Sequence, residues 1–311
     1  MYLACYAAAI RHGAKETQRT THPHPLFFLT GPFTSLKHFK QTVMSRRFVD
    51  DTQTVANDPK ATLQVIAAGQ WRAATSTLQH VFEHQLLPRL SPSMHGAYIM
   101  AFNERMKLCC RLCREPSKPA RHALLRQLYT GYNASSDFPG MAFLPDLLEI
   151  YPDAKVVLNK RHSAQAWENS VQDSLAVYST WRYFVATCLV PHSYWHHRCY
   201  REYMALCRRR FGTDAILTAE FYETHNQWVR EVVEADGRGL LEWEPSMGVQ
   251  PLCEFLGCGV EEGTKMPVIN ERETHEELRR FLFWRGVRAW VGWVGVPVAV
   301  VMAGWFWAGS V

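Results

Sequence analysis

The chain has 311 residues, of which 47% are hydrophobic and 13% aromatic, enough to build a sizeable core in one or two domains. A formal net charge of +5 suits an anionic ligand but excludes the strongly basic signature of a nucleic-acid-binding protein. Nine cysteines, an odd count at irregular spacing, fit free thiols in a reducing compartment: Cys109, Cys110 and Cys113 lack the second Cys pair or paired His of a zinc site, so no metal is expected.

Met1 to Ile10 is apolar but short, and no charged region precedes it, so it makes a poor secretory signal. The stretch up to Arg47 is basic, with Glu16 its one acidic residue. Two readings stay open: a mitochondrial presequence, or translation starting at Met44. Under either, residues 1–60 are expected to be a flexible N-terminal segment.

Leu63 to Ala68 then reads as a short apolar strand, Gly69 as a turn, and Thr75, Ser76 and Thr77 as the first turn of a helix. A strand, a tight turn and a hydroxyl-rich helix start make a phosphate-binding loop, because the helix N-terminus presents unpaired N–H groups and a dipole that favours an anion. Arg72 adds a cation whose fork suits phosphate or sulfate oxygens. A nucleoside triphosphatase would need Gly, four residues, then Gly-Lys and Ser or Thr. Counting from Gly69, Ala74 stands at the second glycine and Thr75 at the lysine, which disfavours ATP or GTP hydrolysis.

Helices are predicted over Ser76–Leu87, ending near Pro88, and over Ala97–Arg114, broken by Pro116 to Pro119. Arg121–Tyr129 is a further helix; Asp137-Phe138-Pro139-Gly140 is a turn; Met141–Tyr151 is an amphipathic helix. Ala154–Asn159 is a buried strand leading through Lys160-Arg161-His162-Ser163 into a long helix from Ala164. A strand, a basic turn and a helix thus occur twice. In a parallel sheet the carboxyl ends of the strands share one edge, so the two turns are placed to hold two ends of one polyphosphorylated nucleotide. Helices follow over Ser193–Phe211 and Ala219–Ala235, a strand over Gly239–Trp243, a short helix over Val249–Leu256 and a polar helix over Glu271–Arg288. His192 and His196 lie four apart, but no Glu follows His192 as a metalloprotease motif needs, and they read as a polar helix face.

Ala289 to Val311 holds no charged residue, and roughly 20 such residues cross a bilayer core as a helix. Arg279, Arg280, Arg285 and Arg288 precede it, and Trp290, Trp293, Trp305 and Trp307 would sit toward the two interfaces. Pro297 and the glycines are tolerable there. Residues 289–311 are predicted to be a single C-terminal transmembrane anchor, with the positive flank placing the globular domain on the cytosolic side.

Taken together, these motifs resemble the fungal branch of the P-loop sulfotransferase-like proteins over most of Thr62 to Asn270. A family loop of the form Gly-Leu-Pro-Arg-Thr-Gly-Thr, then Ser and Leu, stands here as Gly69-Gln70-Trp71-Arg72-Ala73-Ala74-Thr75 with Ser76 and Leu78. The family's Pro and His after the first helix are matched by Pro92 and His95. Its Asp-Tyr-Pro turn and Tyr-Pro-Asp-Ala-Lys stretch are matched by Asp137-Phe138-Pro139 and Tyr151 to Lys155. Its strand leading to Arg, Trp and Ser is matched by Arg161, Trp167 and Ser170, and the region from Trp243 to Gly257 is also similar.

The resemblance implies an α/β fold: a P-loop-type parallel sheet flanked by helices over residues 61–280, with extra helices and the C-terminal transmembrane helix. It implies 3′-phosphoadenosine 5′-phosphosulfate as donor, no metal, and transfer of a sulfuryl group to an acceptor hydroxyl or amine. Gly69, Arg72, Ala74, Thr75 and Ser76 would hold the phosphosulfate, and Arg161 with Ser170 the 3′-phosphate. Arg72 would steady charge on the leaving oxygen. His95 would be the base, with Asp137 as the second candidate. The chain departs from the family pattern at Trp71, Ala73 and Ala74, and Ser170 lies one residue late, which offers Asn169 for its role. A non-catalytic, membrane-tethered anion-binding scaffold is the alternative. The acceptor class stays open, with a membrane anchor leaning toward a hydrophobic one.

Overall fold

Buried apolar residues in the middle of the chain build a sheet whose strands are all parallel. In the computed structural model, which describes residues 47–267, 269 and 271–308, the strands are β1 (Val65–Ala67), β3 (Ser93–His95), β4 (Ala134–Ser136), β5 (Lys155–Asn159) and β6 (Leu240–Trp243), in the order β3-β4-β1-β5-β6. Val65 pairs with both Ala134 and Lys155, so β1 is the central strand, and the connections leave it on opposite sides. Such a reversal opens a crevice at the carboxyl end of the central strand, where α/β sheets bind ligands. A separate antiparallel pair joins β2 (Leu86–Leu87) to β7 (Gly259–Val260).

The helices are α1 (Thr75–His84), α2 (Gly96–Met100), α3 (Asn103–Arg114), α4 (Lys118–Tyr129), α5 (Leu144–Ile150), α6 (Ala164–Ser174), α7 (Trp181–Thr187), α8 (Pro191–Phe211), α9 (Ala219–Ala235), α10 (Gln250–Leu256), α11 (Glu271–Trp290) and α12 (Val296–Ala308). One face of the sheet packs on α3, α4, α5, α8 and α9 through residues such as Ile66, Val156, Met106, Leu125, Leu147 and Phe221. The other face buries Val65, Ala67 and Val157 against Leu78, Val81 and Phe82 of α1 and Leu252 of α10. A third, small cluster gathers Val49, Tyr178, Tyr183, Leu278 and Leu282. The thiols of Cys109, Cys110, Cys113, Cys199 and Cys207 are buried and free; burial pushes those of Cys109 and Cys113 up, and the hydrogen bond with Cys109, with burial behind it, pushes that of Cys199 up, which makes them inert protonated packing groups.

The predicted strands at Leu63–Ala68, Ala154–Asn159 and Gly239–Trp243 are present, each slightly shorter. Strands β3 and β4 were not predicted: three residues rich in Ser and His show no apolar alternation, and only pairing with β1 and with each other makes them strands. Helix α1 stops at His84, not at Leu87, because Leu86 is buried in the pairing with Val260. The expected helix Ala97–Arg114 is two helices, divided where Phe102 turns extended at φ −113°. The expected Met141–Tyr151 helix begins as a 3₁₀ turn, Gly140–Ala142, before α5.

Residues 1–46, including the apolar start, the presequence reading and Met44, lie outside the described residues. At the start of the described stretch Arg47 donates to Ser76 Oγ at 2.6 Å and to Gln79 Oε1 at 3.2 Å, and Val49 is buried, while most of residues 51–60 are exposed. At the other end α11 continues through a π-helical turn, Val291–Gly295, into α12, so that Thr274–Ala308 is one helix of 35 residues. The π turn falls just before Pro297, whose ring and missing N–H disrupt the regular pattern. This helix is long and apolar enough to span a membrane, and its apolar window is exposed throughout. Residues 309–311 of the expected span lie outside the described residues.

Candidate active site at the strand ends

The central feature is the loop from β1 to α1. Gly69 follows the strand with no room for a side chain: a Cβ there would collide with the backbone oxygen of Asn159. Asn159 ends β5, is fully buried, and clamps the loop from the side. Its Oδ1 accepts from the Gly69 N–H at 2.9 Å, and its Nδ2 donates to the Ala73 carbonyl at 2.6 Å. From the other side, His225 of α9 places Nε2 2.8 Å from the Ala68 carbonyl. Burial lowers its pKa to about 4, so the ring is neutral and Nε2–H donates.

Two residues of the loop are left-handed without being glycine: Arg72 at φ 61° and Ala74 at φ 63°. Ala74 is the N-cap of α1 and supplies no side-chain acceptor, and the first turn holds no acidic residue. The first N–H groups of α1 therefore point into the crevice without a side-chain cap, beside the hydroxyls of Thr75 and Ser76. Where the family pattern has a glycine, the chain holds the same backbone shape with a methyl group, at a conformational cost of about 1–2 kcal/mol.

The second basic turn closes on the first. Arg161 Nε donates to the Arg72 carbonyl at 2.8 Å, and its Nη2 reaches Ser170 Oγ at 3.3 Å. Arg72 Nε meets the same oxygen at 3.3 Å. Ser170 thus bridges the two arginines, whereas Asn169 is exposed and bonds Gln165. Trp167, fully buried, donates from Nε1 to the Trp71 carbonyl at 2.6 Å and stacks on Tyr222, whose hydroxyl accepts the Arg161 N–H at 2.9 Å. Trp71, in place of the family proline, packs against Tyr200 and Tyr203 of α8.

The ends of β3 and β4 supply the other side. His95 is 1% exposed, and its Nε2 lies 3.3 Å from both Thr75 Oγ1 and Ser76 Oγ. Its Nδ1 accepts the Ala97 N–H at 3.0 Å, capping α2. Burial first, then the charges of Arg47 and His275, hold its pKa well below the ordinary histidine value. A neutral ring whose Nδ1 is an acceptor carries its proton on Nε2. Asp137, left-handed at φ 78°, sets Oδ2 3.7 Å from that nitrogen, while its Oδ1 accepts the Phe138 N–H at 2.6 Å. Arg72, Thr75, His95 and Asp137 all face one cavity of about 120 Å³. Its remaining wall is mostly apolar and aromatic, including Val49, Trp71, Leu175, Tyr178, Leu278 and Leu282. That space is enough for several waters or one ring-sized group.

A sulfotransferase domain profile matches residues 64–275. The chain belongs to the sulfotransferase domain family. It is also 30% identical over 235 residues to the Ava biosynthesis cluster protein M of Aspergillus versicolor, across 72% of this chain and 86% of that relative. Membership in a sulfotransferase family implies use of a sulfuryl donor. The expected residues Gly69, Arg72, Ala74, Thr75, Ser76, His95, Asp137, Arg161 and Ser170 converge at one sheet edge. Among the described residues no cluster of His, Cys, Asp and Glu forms a metal site.

Sequence reasoning passed over Asn159, Arg47 and the α11 wall. Asn159 left a signal: a polar residue closing the run Lys-Val-Val-Leu is out of place in a buried strand unless it serves a backbone. Arg47 and α11 left none, since their contacts span long stretches of chain.

Proposed function

We propose that this protein transfers a sulfuryl group from 3′-phosphoadenosine 5′-phosphosulfate to a hydroxyl or amine held in the cavity beside Asp137. The observation that carries it is the α1 N-terminus, which lacks a side-chain cap, opening with Arg72 and Thr75 onto the cavity that Asp137 lines. The donor, when bound, supplies an activated sulfuryl group. The α1 N–H groups and the hydroxyls of Thr75 and Ser76 hold its phosphosulfate, and Arg72 offsets charge growing on the departing oxygen. Arg161 and Ser170 hold the 3′-phosphate. Of the two candidates for the base, the geometry favours Asp137. Neutral His95 has no lone pair on the cavity nitrogen, because Nδ1 is committed to Ala97. His95 Nε2–H instead orients the loop hydroxyls, and Asp137 takes the acceptor's proton.

The C-terminal helix gives the enzyme a single-pass anchor, and the arginines before the span favour the catalytic domain on the cytosolic side. A binding scaffold without turnover is the second reading, favoured by the left-handed Ala74 in the loop.

Calorimetric titration with 3′-phosphoadenosine 5′-phosphate tests the donor site without knowledge of the acceptor. Arg161→Ala is expected to weaken that nucleotide by roughly 10- to 150-fold, the loss of one charged hydrogen bond, and to leave adenosine 5′-phosphate almost unchanged. Equal losses for both would remove Arg161 from this role. Absence of binding to the unaltered protein would remove the sulfotransfer function. Binding without single-turnover transfer to phenols, sugars, amines or lipids would favour the scaffold.

A further inference from the structure

Helix α11 has two jobs. On one face, His275, Leu278 and Leu282 line the cavity. On the others, Phe281, Phe283 and Trp284 are exposed, Trp284 at 59%. At about 100° per residue, Trp284 lies roughly opposite Leu282, so the helix separates the cavity from this outer apolar face. The helix then runs into the apolar span without a break in the chain of turns. Trp290 is eight residues beyond Leu282, about 12 Å along the axis.

Helix α7 is fixed beside it. Gly286 packs so closely on the backbone of Ala186 and Thr187 that a Cβ would collide. Trp290 Nε1 donates to the Val185 carbonyl at 2.9 Å. The outer side of α7 is apolar as well, with Trp181 70% exposed and Val185 47% exposed. Arg182 sits over the Trp181 ring in a cation–π contact, 5.7 Å from its centroid; Arg280 and Arg288 are exposed along α11, and no acidic residue occurs from Arg279 to Trp290. Exposed aromatic rings interspersed with exposed arginines, joined directly to a membrane-length helix, match an anionic bilayer surface in both polarity and charge.

We propose that α7 and residues 278–290 of α11 form a collar resting on an anionic phospholipid bilayer, and that the cavity draws its acceptor from that surface: a hydrophobic alcohol or phenol dissolved in the membrane. The cavity is arranged for such a molecule. Arg72, Thr75, His95 and Asp137 line it together with an apolar cluster of Val49, Leu175, Tyr178 and the collar's own Leu278 and Leu282, and His192, His196 and His275 also line it. The acceptor class rests on the sulfotransfer function and the anchor proposed above; a sulfated product, newly charged, would leave the bilayer for water.

The test uses the full chain in nanodiscs containing phosphatidylserine and a phospholipid with a diazirine near its headgroup, followed by peptide mapping. Labels are expected on residues 181–185 and 281–284 as well as on 291–308. Labels confined to 291–308 would overturn the collar, and so would copy-to-copy cross-links through Trp181 and Trp284 in place of lipid labels. Absence of label on 291–308 would remove the anchor itself. In a second arm, a 4-alkylphenol bearing a diazirine is dissolved in the same nanodiscs. It should label cavity residues such as Leu175 and Leu278, and the double variant Trp181→Glu/Trp284→Glu should lower that labelling roughly tenfold while binding 3′-phosphoadenosine 5′-phosphate as before. Unlabelled cavity residues in a protein that binds the nucleotide would overturn the membrane-fed acceptor and leave the donor site standing. Failure to bind the nucleotide would instead overturn sulfotransfer.

Discussion

Asn159→Ala removes the clamp on the anion loop and nothing else of comparable size. The side chain is fully buried and makes two hydrogen bonds to loop backbone, at 2.9 Å to the Gly69 N–H and 2.6 Å to the Ala73 carbonyl. Truncation leaves one donor and one acceptor buried without that partner, each costing about 1–3 kcal/mol. A loss near 4 kcal/mol is expected, and somewhat less if a water enters the space. That is a large share of a typical domain's total stability. The loop should also loosen, so affinity for 3′-phosphoadenosine 5′-phosphate should fall by roughly tenfold or more, because ordering the loop must then be supplied by binding. Asn159→Asp is the companion. It keeps an acceptor for Gly69 but sets a carboxylate oxygen against the Ala73 carbonyl, and its charge opposes the bound anion. It should bind donor more weakly than the Ala variant. The assay is urea denaturation of the full chain in mild detergent, with calorimetric titration of the nucleotide. A stability loss below about 1 kcal/mol with unchanged affinity would refute the clamp.

Ala74→Gly should remove about 1–2 kcal/mol of left-handed strain, against about 0.4–1 kcal/mol of added unfolded-state entropy, for a net gain of up to about 1 kcal/mol in the same denaturation assay; a clear loss would mean that the methyl group packs more favourably than its backbone costs. Stability should also fall with acid. Burial, first among the causes, holds the pKa values of His95, His196 and His225 below the ordinary value, so below about pH 6.5 the unfolded chain binds protons that the folded chain refuses. His196 and His225, held down to about 3 and about 4, should together withdraw about 3 kcal/mol between about pH 6.5 and about pH 5, with His95 adding in the same direction, and His225→Gln should recover about 1.5 kcal/mol of that loss; an unchanged slope would place the proton uptake elsewhere.

The local features of the loop were legible in the sequence because they depend on neighbours along the chain. An apolar strand before Gly69, hydroxyls at Thr75 and Ser76, and a basic turn at Arg161 each declare an anion-friendly strand end. The family motifs then fixed the order of the pieces. The uncharged stretch from Ala289 was equally plain, since bilayer thickness sets a length that composition alone can meet. What the tertiary structure decided is how distant groups meet. Ser93–His95 and Ala134–Ser136 are strands only because β1 offers backbone partners to β4 and β4 offers them to β3; their side chains carry no apolar period. The proton on His95 is placed by the N–H of Ala97 and by burial, so the expected order of His95 over Asp137 could be weighed only in three dimensions. Asn159 clamps a loop 90 residues away, Arg47 reaches Ser76, and α11 walls the cavity. No local pattern encodes those contacts, because hydrogen bonding and burial act across space once the chain has closed, and sequence separation leaves no trace of them.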